Sequence, residues 1–293
     1  MESLIEKGLI KGYKDKSINP KGGLTRAELV VLVDRIKNIT NDYEEKIPVL
    51  MYHHFDDVSE FGAVVLKDEF IKQIDYIIKK GYNTITVKDL YEISIGEKLL
   101  PKNSIVITSD DGYLSNYEFM YPELKKRNME ATIFVIGDEI YNADYNIQNN
   151  IGVPKFNWSH AKEMVDSGLI DIQSHSHNSH HKVSIDNSNY QKGAFSTPAR
   201  GESLEDYKKR IDNDIKLGIK GIKENLGYTP IAFACPFGEF SNISEKVIKE
   251  NGIKMSFTIK DGFLDIKNNP YLIDRITVSG KDSFEDFKNK LNR

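Results

Sequence analysis

Four of the seven histidines in this chain fall within seven residues, His175-Ser176-His177-Asn178-Ser179-His180-His181. Imidazole is a common ligand for zinc, and several on one turn can converge on one ion. Spacing alone does not choose the pair. His177 and His181 would share a helical face, whereas His175 and His180 would meet only across a turn. A polar, histidine-rich surface turn is the plain alternative, because short motifs also match by chance. Upstream, Asp110 and Asp111 stand side by side in Thr108-Ser109-Asp110-Asp111-Gly112. An Asp-Gly turn closing a strand would read the same way. Two adjacent like charges are costly without a compensating cation. Beside the histidine cluster, one carboxylate can complete a His-His-Asp metal site while the other stays off the ion and acts as a base. A third segment, Cys235-Pro236-Phe237-Gly238, reads as a Pro-Gly loop or as a groove wall. Cys235 reads as a small buried residue rather than a nucleophile, and no histidine follows His181 to pair with it. His53, in Met51-Tyr52-His53-His54, is either a hydrogen-bonded core histidine or a strand-end group facing a pocket.

These segments need elements to position them. Near-continuous apolar runs occur at 48–52, 84–86, 104–109, 131–136, 169–173, 231–235 and 254–258. Helical patterns lie between most of them, at 67–80, 87–95, 116–127, 159–167, 203–226 and 242–251. Runs apolar on both faces are what a parallel sheet covered by helices requires. The alternation predicts an α/β fold, a (β/α) barrel of seven strands. An open doubly wound sheet is the second choice, and the glycine-rich fingerprint it would carry after its first strand is missing. All the segments singled out above follow predicted strands, the end where barrel enzymes carry their sites. Two long polar stretches, 137–157 and 181–202, also follow strand ends.

The front of the chain stands apart. Residues 2–10 and 25–37 pattern as two short helices, the second opened by a Thr25–Glu28 capping box. A polar linker follows at 39–46. The division is therefore 1–38, linker 39–46, and 47–293. The chain has 40 basic and 44 acidic residues, a formal charge of -4, so neither nucleic acid nor an anionic membrane is expected as a partner. One cysteine excludes an intramolecular disulfide. No run of 18 apolar residues predicts a transmembrane helix, and MESLIEKGLIKGYKDK lacks the apolar centre of a signal peptide. Either the protein is not exported or its export signal is not in this chain.

From about Ile47 onward the chain resembles the NodB-type polysaccharide deacetylases. The segments that carry the likeness are IPVLMYHHF, LPKNSIVITSDDGYLSNYEFMYPELKKRNMEATIFVIG, SHSHNSHH and IAFACPFGEFS, in that order. It is most similar to the subgroup acting on poly-N-acetylglucosamine, whose two histidine ligands are separated by four residues. That likeness selects His175 and His180. It implies a distorted (β/α)7 barrel, a divalent metal (usually zinc) held by Asp111, His175 and His180, and Asp110 as the catalytic base. It also implies an oxyanion donor at the backbone N–H of Tyr113, a substrate wall at Pro236, Phe237 and Gly238 with Phe237 against a sugar ring, and Arg275 as the group orienting Asp110. Departures from the family pattern are Ser109 in place of phenylalanine, expected to loosen the packing under the site, and the lack of a late histidine acid. His53, or protonated Asp110 returning its proton, is then the candidate acid.

LIEKGLIKGYKDKSINPKGGLTRAELVVLVDRI resembles one S-layer homology motif. That likeness implies attachment to cell-wall polysaccharide through residues 1–38, with Arg26 toward the glycan, and a cell-surface location. The expected activity is removal of N-acetyl groups from an N-acetylglucosamine polymer. An ester deacetylase acting on O-acetylated polysaccharide and a catalytically weak glycan-binding wall protein are the alternatives.

Overall fold

The apolar runs become strands because burial on both faces satisfies them only inside a helix-covered sheet. A computed structural model describes residues 46–59, 61–186 and 190–293. Lys46–Arg293 is one of two units into which the chain divides; the other, Met1–Glu45, lies outside the described residues, as do the expected helices at 2–10 and 25–37. The strands are β1 (Lys46–Tyr52), β2 (His54–Asp56), β3 (Val64–Leu66), β4 (Asn83–Ile85), β5 (Ser104–Asp111), β6 (Ala131–Val135), β7 (Ile170–Ser174), β8 (Lys182–Ser184), β9 (Gln191–Gly193), β10 (Ala232–Ala234), β11 (Met255–Phe257), β12 (Phe263–Asp265) and β13 (Ile276–Thr277). β1 already takes in Lys46, the last residue assigned to the linker.

The main sheet runs β11-β10-β7-β6-β5-β1-β12, with β13 also on β1 and β4 also on β5. Every pairing in it is parallel except β1 with β12. Ile273 bridges to Phe257 of β11, while Ile276 and Thr277 pair with Leu50 and Met51 of β1. The stretch 273–277 therefore spans from the far edge strand back to the first one and curls the sheet into the expected distorted barrel. Its brevity hides it from the sequence pattern. The run at 84–86 forms β4, but off the main path. β4 takes Ser104–Val106 of β5, and β6 takes Thr108–Asp111 on the same edge.

All six helical patterns form within a residue of their predicted ends. The helix Phe284–Leu291 is additional and buries Phe287 and Leu291. Helix Leu204–Leu226 begins at Ser203, whose side chain accepts from Asp206 N, and ends at Gly227, with φ 82°. Its buried stripe includes Tyr207, Ile211, Asp214, Ile215, Gly218 and Ile222. The long polar stretches are built rather than loose. The first holds the helices Gly137–Tyr141 and Ala143–Gln148, and the second holds the β8–β9 hairpin.

Asp171 of β7 is a buried carboxyl away from the cleft described below. It accepts from Gln173 Nε2 at 2.8 Å and from Thr132 Oγ1 and Lys88 N, both at 3.3 Å. Burial pushes its pKa up to about 6. Its contribution is fully present below about pH 4 and is lost as pH rises through about 6, because the folded state must then bury a charge. Denaturant unfolding should show the wild type losing stability over this window relative to Asp171→Asn, by about 3 kcal/mol. A gap between the two proteins that stays constant from pH 4 to 7 would contradict this.

Candidate metal centre and cleft

β5 is buried along its whole length and continues to Asp111, so both carboxylates belong to its last two positions. In a regular strand they would point to opposite faces. Asp111 leaves that geometry with φ 73°, and both residues line one cleft. Gly112 follows, also at φ 73°, where a Cβ would stand 2.7 Å from Ile140 Cδ1.

His175 follows β7. Its Nδ1 lies 2.8 Å from Ala234 O. A carbonyl only accepts, so Nδ1 carries the proton and Nε2 presents a lone pair. That Nε2 is 3.4 Å from Asp111 Oδ1, and His180 Nε2 is 3.4 Å from the same oxygen. One ligand atom from each of the three residues lies within 4.8 Å of the other two. Asp111 Oδ1 is buried without a hydrogen-bond partner among the described residues. Atoms bonded to a tetrahedral zinc at 2.0–2.1 Å stand about 3.4 Å apart, so the donor set, the orphaned oxygen and the spacing fit a divalent ion. His177 and His181 are not in this cluster; His181 is exposed, with its Nδ1 3.1 Å from Asn178 O.

Asp110 is held differently. Arg275 Nη1 donates to its Oδ1 at 2.8 Å and Nη2 to its Oδ2 at 2.7 Å. The same guanidinium donates to Thr258 O at 2.8 Å and Thr108 Oγ1 at 3.2 Å, and Arg275 is fully buried. Burial would push Asp110 upward, but the charges of Arg275 and His175 outweigh it and hold the carboxyl below its usual range. Asp111 is likewise low, burial being outweighed by the nearby His175, with Lys155 and His180 adding to the pull. For His175, burial opposes the proton, yet Asp110 and Asp111 raise its pKa; burial and His175 push His180 down to about 4. An ion would displace this protonation with its own charge.

His53 lines the cleft, and burial lowers its pKa against the pull of Asp110 and Asp111. Its carbonyl accepts from Ser109 Oγ at 3.0 Å and Asn116 Nδ2 at 2.8 Å. Ser109 therefore ties β5 to the end of β1, which corrects the expectation of loosened packing. Phe237 and Gly238 also line the cleft. Phe237 adopts φ 58°, and its ring centroid lies 4.4 Å from that of His180. It thus braces a histidine of the cluster, whatever it offers a ligand. Pro236 is buried and does not line the cleft. Tyr113 also lies outside the lining, with Lys155 Nζ 3.5 Å above its ring. The Tyr113–Lys155 bridge uses Leu114 N to Pro154 O and Phe156 N to Gly112 O, so it leaves the N–H of Tyr113 itself unused. Burial pushes the Cys235 thiol up to about 12, which removes it as a nucleophile at neutral pH.

The cleft has a volume of about 440 Å³ and is open to solvent. Sequence reasoning missed Thr277 and Ser279 in its lining, because the two-residue β13 is too short to register as a strand. It also missed Asn116, for which the sequence carried no signal.

The polysaccharide deacetylase family model matches residues 97–256, and the S-layer homology domain model matches residues 1–30. A poly-beta-1,6-N-acetyl-D-glucosamine N-deacetylase of Staphylococcus epidermidis is 27% identical over 221 residues, covering 75% of this chain and 70% of that protein. The enzyme of the same name from Escherichia coli K12 is 23% identical over 75% of this chain, but the match spans only 34% of its length. Among solved structures, a de-N-acetylase from Aggregatibacter actinomycetemcomitans superposes with a TM-score of 0.76 at 25% identity, covering 84% of this chain and all of that one. IcaB from Ammonifex degensii gives a TM-score of 0.71 at 26% identity, covering 85% and 98%.

Proposed function

The chain belongs to the polysaccharide deacetylase family, and from that premise we propose that it is a metal-dependent hydrolase removing N-acetyl groups from an N-acetylglucosamine polymer at the bacterial cell surface. The observation that carries this reading is the cluster Asp111, His175 and His180 around an orphaned carboxylate oxygen, next to an arginine-held Asp110. Asp111, His175 and His180 are the residues that would hold the ion, with zinc the first choice for two imidazoles and a carboxylate. When bound, the ion supplies Lewis acidity and lowers the pKa of a water.

The chain's own groups do the rest. Asp110, kept ionised by Arg275, accepts the proton from the attacking water. The fork of Arg275 fixes the plane of that carboxylate, so the remaining lone pairs keep one direction. The N–H of Tyr113 stabilises charge developing on the acetyl oxygen. Protonated Asp110 returns the proton it took from water to the departing sugar nitrogen, with His53, whose burial disfavours a charged ring, as the second candidate donor. Phe237 and Gly238 form one wall for the sugar, with Pro236 supporting them. An open cleft suits an internal unit of a polymer. For the front of the chain we propose residues 1–38 as a wall-binding segment, 39–46 as a linker and 47–293 as the catalytic domain. The match to the S-layer homology model supports the surface location. Among the described residues no helix is long and apolar enough to cross a membrane.

Acetate release from N-acetylglucosamine oligomers tests the reading. Chelation should abolish it and zinc should restore it. Zinc at 100 to 1,000 times its Kd should also stabilise the fold by about 3–4 kcal/mol. Full turnover by metal-free protein would rule the mechanism out. An O-acetylated polymer assayed on the same preparation separates amide from ester hydrolysis.

A further inference from the structure

The turn between the two clustered imidazoles is held on both sides by groups that do not line the cleft. Asp214, in the middle of helix Leu204–Leu226, is buried. Its Oδ2 accepts from His177 N at 2.9 Å and its Oδ1 from Asn178 N at 2.8 Å. From the other side, Gly137 N donates to Ser176 O at 3.0 Å and Asp138 N donates to His177 O at 2.9 Å. The peptide groups between the histidines are thus bound by protein. Ser176 sits at φ 77°, a left-handed conformation unfavourable for a residue with a side chain. It persists where the surroundings over-determine it. The helix also comes very close: a Cβ at Gly218, one turn beyond Asp214, would stand 3.0 Å from Ser174 Oγ and 3.6 Å from His177 N. A buried carboxylate is costly unless it is well bonded, and two successive N–H donors are its compensation.

We infer that Asp214 is a positioning residue for the metal ligands. It shapes the turn so that His175 Nε2 and His180 Nε2 both face Asp111 Oδ1 before an ion arrives. This rests on reading Asp111, His175 and His180 as a metal site. It also explains how histidines five positions apart, outside any helix, can act as a pair.

The test is zinc affinity, measured by competition with a chromophoric chelator on the full chain for wild type, Asp214→Asn and Asp214→Glu. Asn keeps one acceptor and turns its amide toward a second donor, so zinc should bind about 10- to 100-fold more weakly. Thermal unfolding in chelator should show the variant still folded. Acetate release should recover to within a few-fold of wild type once zinc is saturating, because Asp214 touches neither substrate nor reacting atoms. If the Asn variant does not fold, Asp214→Glu keeps the charge but displaces both oxygens, and its zinc affinity should fall in the same direction. Wild-type zinc affinity in a folded variant overturns the inference and leaves the metal site standing. A wild-type protein that binds no zinc removes both.

Discussion

Asp110→Asn should lower acetate release by about 10²- to 10⁴-fold, the range for loss of a positioned general base, while zinc affinity changes far less. The two effects separate because Asp110 is not in the three-residue cluster. Its Oδ2 lies 4.0 Å from His175 Nε2, whereas Asp111 Oδ1 lies 3.4 Å from both imidazoles. Asparagine keeps the shape but cannot take up the water's proton. It also turns an N–H donor toward one arm of Arg275, so some stability is lost as well. Turnover should therefore be compared at a temperature where both proteins are folded, with zinc content measured on the same samples. Wild-type turnover in zinc-loaded Asp110→Asn would take Asp110 out of its proposed role. A parallel loss of zinc would make it part of the metal site instead.

Arg275→Met should be among the most destabilising single changes in the barrel, by about 3–5 kcal/mol, and should lower acetate release too. Methionine fills much of the space but leaves Asp110 as a buried carboxylate without its cation. It also strips the donors from Thr258 O and Thr108 Oγ1. In the wild type the ion pair contributes stability that is present above about pH 4 and fades as pH falls, since the folded Asp110 carboxyl is held below its ordinary value. Without Arg275, only the neighbouring histidines oppose the burial of Asp110, and this pH-dependent contribution shrinks. Arg275→Lys should rescue only part of this, because one ammonium cannot reproduce two parallel hydrogen bonds. Denaturant unfolding in chelator isolates the effect from metal binding. Adding Asp110→Asn to Arg275→Met should cost much less than the sum of the single changes, as expected for directly coupled partners. Additive losses would mean that Arg275 stabilises the barrel independently of Asp110.

Much of this was legible in the amino-acid order. Seven apolar runs with helical patterns between them dictate a parallel α/β sheet, since no other arrangement buries both faces of such strands. Asp110, Asp111 and the histidine cluster follow strand ends, and parallel strands bring those ends to one side. The number of strands on the ring was less legible. β13 has two residues and works through its bridge position, which no periodicity can register. The polar stretches at 137–157 and 181–202 looked like loops because short helices and hairpins of mixed composition carry no clear period.

The sequence by itself determined which chemical groups are present, and that strand ends collect them on one face of a barrel. The family likeness pointed to His175 and His180, but only the tertiary structure showed why that pair converges with Asp111: His175 Nδ1 donates to Ala234 O and His177 N to Asp214 Oδ2, across 59 and 37 residues of chain. It also gave the geometry by which Arg275, which the likeness had placed beside Asp110 from 165 residues away, closes on that carboxylate with two hydrogen bonds. The physical reason is that such contacts depend on distance in space and on the direction of lone pairs. Local order along a chain encodes neither until the sheet has closed.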